Sequence, residues 1–85
     1  MKSEKNIKHI LINLYCRVFG GESDILEVWD GPNYNYLVMR KEDGWVTTIS
    51  RTDVDAYLSD DRPMRERART AIIARFHQFK QSEDG

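Results

Sequence analysis

From Ile7 to Phe19 apolar residues return every three to four positions: Ile7, Ile10, Leu11, Leu14 and Val18 form one stripe. Ile12, Cys16 and Phe19 widen it, so the spacing predicts an amphipathic helix that packs on two neighbours. Ser3 and Glu4 offer a cap at its start. Gly20 and Gly21 stop it, because glycine reaches the left-handed backbone that a helix end favours.

The period then changes from near four to two. Three segments rich in β-branched and aromatic residues follow, Ile25–Asp30, Tyr34–Lys41 and Trp45–Ser50. Asp30-Gly31-Pro32-Asn33 and Glu42-Asp43-Gly44 separate them with turn chemistry, and connections this short predict an antiparallel meander. With loops of three residues, Gly31–Asn33 and Glu42–Gly44, one face collects Ile25, Trp29, Leu37, Met39, Trp45 and Ile49. The other collects Leu26, Val28, Tyr34, Tyr36, Val38, Arg40, Val46 and Thr48. The first set makes the better core, and the outcome depends on loop length, since a one-residue change carries a strand's side chains across the sheet.

Helical signals resume at Thr52-Asp53, with a short turn through Val54, Tyr57 and Leu58. Asp60-Asp61-Arg62-Pro63 starts a last helix running to about Gln81, with Met64, Ala68, Ala71, Ile72, Phe76 and Phe79 as its apolar line. The expected fold class is therefore mixed α+β in the order α-β-β-β-α-α. It forms a single domain over residues 1–81, and residues 82–85 make a flexible polar tail.

Composition refines this picture. Eighty-five residues with 40% hydrophobic and 32% charged side chains suit one small core under a well-solvated surface. The net charge of −1 hides a strong polarity: residues 1–19 sum to +3, residues 20–61 to −7 and residues 62–80 to +5. A single cysteine excludes an internal disulfide and fits a reducing, cytoplasmic setting. No signal peptide is legible, and no apolar run reaches the ~18–20 residues of a membrane span, so no membrane partner is expected.

The chemistry-bearing residues are sparse. His9 and His77 lie in the terminal helices without an acid at fixed spacing, and Cys16 sits on an apolar stripe, where a free cysteine is usually a small hydrophobe. Asp53, Asp55, Asp60 and Asp61 lack the glycine-centred calcium-loop pattern and read as helix-capping acids, and no phosphate loop follows Gly20-Gly21. No enzyme activity, no metal and no cofactor are expected. Two surfaces remain. One is the sheet face bearing Tyr34, Tyr36 and Arg40, residue types enriched at protein interfaces; that face is either open or buried by the turn around Tyr57 and Leu58 folding over it. The other is the arginine series Arg62, Arg65, Arg67 and Arg69, of which Arg62, Arg65 and Arg69 share a helical face. Guanidinium groups in such a stripe bind phosphate or carboxylate bidentately, or face water beside Asp60 and Asp61.

The element order is similar to that of double-stranded-RNA-binding domains, which also place basic residues at the start of the final helix. Thr52–Asp61 inserts an acidic segment where that family has a short loop, and the family's lysine-rich motif is missing, so the likeness is one of element order alone. In size and order the chain is also similar to phage-encoded anti-CRISPR and other anti-defence proteins, which inhibit larger machines. The resulting expectation is a non-enzymatic protein-binding module, an inhibitor or regulator of a larger complex. The alternatives are a nucleic-acid-binding module using the basic last helix and a homodimeric structural protein.

Overall fold

A computed structural model describes residues 4–81, with the side chains of Glu4 and Lys5 outside the description. The expected cap at Ser3 and the expected tail over residues 82–85 also lie outside the described residues. The element order is α1 (Glu4–Phe19), β1 (Leu26–Asp30), β2 (Asn35–Arg40), β3 (Val46–Ser50), α2 (Arg51–Tyr57) and α3 (Arg62–Phe76). This is the α-β-β-β-α-α order that the hydrophobic periods predict.

Helix α1 ends as its glycines require, with Gly20 at φ +83° and its N–H donating to the Cys16 carbonyl at 2.8 Å. The first strong cap of the second half is Ser50, whose hydroxyl accepts from the Thr52 N–H, so α2 begins ahead of the expected Thr52-Asp53. Asp61 caps α3 by accepting from the Met64 N–H, and Pro63 stands in the first turn, where its missing N–H costs nothing. Helix α3 stops at Phe76, five residues short of the expected end. Beyond it the chain turns, and Lys80 exchanges two backbone hydrogen bonds with Val46 at 2.9 and 3.0 Å.

The sheet is an antiparallel meander, β1-β2-β3, and its register decides which side chains are buried. Trp29 lies opposite Leu37 and Val28 opposite Val38; across the second hairpin, Val38 lies opposite Thr47 and Tyr36 opposite Ile49. The first hairpin keeps the expected parity. The second does not: Arg40 rather than Lys41 meets Trp45, so the loop spans four residues and β3 is turned over relative to the expectation. Leu26, Val28, Tyr36, Val38, Thr47 and Ile49 thus share a face, and Leu26, Val38 and Ile49 are completely buried. The helices cover that face, with Leu11, Leu14, Val54, Ile72 and Phe76 closing the core against it. The expected core face, with Trp29, Leu37 and Met39, is the outer one, and Trp29 is exposed.

Candidate functional site

Register also decides the fate of the tyrosine-bearing surface. Tyr36 is buried beneath the helical layer, with the Arg51 guanidinium 4.4 Å above its ring. Arg51 in turn pairs with Asp30, which raises its pKa. Arg40 points to the same side. Its guanidinium lies 4.7 Å over the Phe79 ring and donates to the Tyr15 hydroxyl at 3.4 Å and to Asp43 at 2.6–3.2 Å. The Asp43 pairing raises the Arg40 pKa, and Arg40 holds the Asp43 carboxyl below the usual carboxylate range. Tyr36 and Arg40 are therefore parts of the core and its rim, and the expected open face of Tyr34, Tyr36 and Arg40 does not exist. The cause is that the aromatic and β-branched residues of both parities are equally apolar, so parity alone does not select the core face.

Tyr34 has a different position. It sits at the tip of the first hairpin, 64% exposed, after Asn33; both residues have left-handed backbone, φ +59° and +60°. The Asn35 N–H donates to the Pro32 carbonyl across them at 3.2 Å, closing a turn of the kind that two positive φ values define. Asparagine tolerates this conformation; a tyrosine there costs about 1–2 kcal/mol.

The arginine series is brought together in the open. Arg62, Arg65, Arg67 and Arg69 are all exposed, and among the described residues none of them forms an ion pair. Asp61 is engaged as the cap of α3 rather than as a counter-ion to these arginines. Arg65 precedes Ile72 by seven residues and Arg69 precedes Phe76 by seven, so the stripe lies on the side of α3 that is buried further along. Ala68, between them on the same side, is buried, so α3 is packed from its second turn onward and the long arginine side chains reach past the packed side to solvent. Met64, expected in the apolar line, is 38% exposed in the first turn of α3, and Leu58 at the end of α2 is 42% exposed. A groove beside Leu58, lined by Asn6, His9 and Asn13 with Ile7 and Ile10, runs along α1. Sequence periodicity contained this signal, because Arg65 and Arg69 stand in register with the core stripe; that all four arginines stay exposed had to come from the fold.

The remaining candidates have ordinary neighbours. The Cys16 thiol lies 3.7 Å from the Glu22 carbonyl, and His77 packs edge-on against Phe19 at 5.0 Å. No group of three or more His, Cys, Asp or Glu among the described residues is arranged to hold a metal ion. No described helix is long and apolar enough to cross a membrane. Compared with protein-family models, curated proteins and solved structures, the chain matches none.

Proposed function

We propose that this protein is a non-enzymatic protein-binding module that acts in the cytoplasm as an inhibitor or regulator of a larger complex, and that it docks through the arginine-bearing first half of α3. The observation that carries this reading is the set Arg62, Arg65, Arg67 and Arg69, exposed and without ion pairs among the described residues, beside exposed Met64 and Leu58. Arg62 and Arg65, in the first turn of α3, work against the helix dipole at about 0.3–1 kcal/mol each, so helix stability does not account for their placement. Arginine and methionine are enriched where proteins meet, and a partner carboxylate supplies the missing counter-charge. Asp60 and Asp61, which immediately precede the stripe, weaken it as a track for a phosphate backbone, which favours a protein over a nucleic acid.

The test is quantitative cross-linking and pull-down with native protein and with a variant carrying Arg62→Ala, Arg65→Ala and Arg69→Ala, alongside labelled duplex and single-stranded probes. Capture of the same protein by the native chain, lost in the variant, supports the reading. Probe binding that falls steeply with salt transfers it to nucleic acid. Capture that survives the triple substitution moves the site elsewhere.

A further inference from the structure

Three arginines stand against the sheet, and they differ in what neutralises them. Arg40 has Asp43 and Arg51 has Asp30; the partners of Arg75 are all neutral. Its Nε–H donates to the Thr48 carbonyl at 2.7 Å, one terminal nitrogen to the Thr48 hydroxyl at 2.8 Å, and the other to Gln78 Oε1 at 2.8 Å. A guanidinium carries five N–H donors, so two are left over, and the three made bonds fix its plane. Arg75 also borders a groove of about 340 Å³ whose walls include Thr48, Gln78 and Lys80, with Leu37 and Val46 as its apolar part.

The hydrogen-bonding character of this groove is one-sided. Arg40 takes the Trp45 carbonyl across the hairpin while Val46 pairs outward with Lys80, so Thr48, two residues on, also turns its N–H and C=O to the outer edge. The Thr48 carbonyl is used by Arg75, and its N–H has no partner among the described residues. Gln78 spends its oxygen on Arg75, which leaves its NH2 as donor. Lys80 adds an ammonium, and no carboxylate lines this arm; Asp53 lines the adjoining arm with Asn35 and Ser50. The carbonyls of Ile73, Ala74 and Arg75 at the end of α3 accept from the N–H groups of His77 and Gln78, and the helix dipole, which disfavours an anion at this end by about 0.3–1 kcal/mol, is opposed by Arg75 and Lys80.

The geometry points to a carboxylate site: the groove between the outer edge of β3 and the last turn of α3 binds a carboxylate carrying a short aliphatic body. Arg75 and Lys80 hold the anion, and Leu37 and Val46 meet the aliphatic part. A free organic acid and the terminal residue of a peptide share this chemistry. The site is independent of the Arg62–Arg69 stripe, which lies at the other end of the helix.

The experiment is an amide and Nε–H shift titration of the full chain with 3-methylbutanoate, with acetyl-glycyl-leucine and with its C-terminal amide. The expected result is a saturable shift of the Thr48 N–H and the Arg75 Nε–H with either acid, absent with the amide. Response to only the free acid or only the peptide acid identifies the source and supports the site. Lys80→Gln, which keeps the backbone bridge, should weaken binding about fivefold, the loss expected of one partly exposed charge contact. No shift with any acid, or equal shifts from the amide or from sodium chloride at matched concentration, overturns the proposal. Arg75→Lys is a supporting variant, and because it risks the β3 contact, Lys80→Gln is the deciding one.

Discussion

Arg40→Ala tests the reading that a charged side chain belongs to the core rim rather than to a binding face. The guanidinium is 19% exposed and Asp43 32% exposed, so their pairing is discounted by solvent. Its bonds to Asp43 are worth about 1 kcal/mol at that exposure. Stacking on Phe79 at 4.7 Å adds about 1 kcal/mol. Loss of the packed aliphatic stem adds roughly another 1 kcal/mol. The total, about 2–3 kcal/mol, should lower the melting temperature of a domain this size by on the order of 10–15 °C. Arg40→Met, which keeps most of the stem, should lose about half as much. Thermal and urea unfolding followed by circular dichroism measure both. A double-mutant cycle with Asp43→Ala should give a coupling near 1 kcal/mol at neutral pH. Because Arg40 depresses the Asp43 pKa, the carboxylate stays ionised in the folded chain to lower pH than in the unfolded one. That contribution is fully present above the ordinary carboxylate pKa of about 3.9 and is lost as pH falls through the depressed value. An Arg40→Ala variant that melts within about 2 °C of native protein, or a coupling that does not fall at acid pH, would refute the argument.

Three further outcomes follow from the same geometry. Ile49→Ala, at a fully buried site, should cost about 3 kcal/mol in urea unfolding, whereas Leu37→Ala on the outer face should cost about 1 kcal/mol or less; the reverse order would restore the opposite face as core. At Tyr34, glycine should give a more stable protein than alanine by about 1 kcal/mol, contrary to their usual order, because only glycine relieves the positive φ of +60°. Lys41 first and then Lys8 lower the Glu27 pKa, so its contribution is present above the ordinary carboxylate range and disappears as pH falls through the lowered value. Glu27→Gln should therefore flatten the acid limb of the stability–pH curve, and an unchanged limb would remove the Lys8–Glu27–Lys41 network from the account.

The element order was legible because each element announces itself locally: a stripe at helical spacing up to Phe19, turn clusters at Gly31 and Gly44, and an Asp-Pro start for α3. The faces of the sheet were not. Sequence parity places Ile49 with Trp29 or with Tyr36 according to one residue of loop length, and Glu42-Asp43-Gly44 reads equally well as the whole loop or as its last part. The end of α3 was lost for a related reason. Phe79 continues the apolar line beyond Phe76 and is buried, but it reaches the core after the helix has stopped, alongside Tyr15 at 6.2 Å. The arginine stripe was visible as a stripe; its freedom from ion pairs is tertiary information. The donor-rich groove at Arg75 had no sequence signal, since it is assembled from the edge of one strand and the residues just past a helix.

The Lys80–Val46 bridge and the Arg75–Thr48 contact leave the sheet with unequal margins. Among the described residues, the outer side of β3 is bridged at Val46 and met by Arg75 at the Thr48 carbonyl, whereas β1 has no strand partner beyond it. A sheet with two bare margins can add copies of itself without limit, which is how ordered fibres begin. With part of the β3 margin covered from within the same chain, β1 is the barer of the two margins. The short run of residues past α3 thus guards part of one margin of the sheet against pairing with a foreign strand.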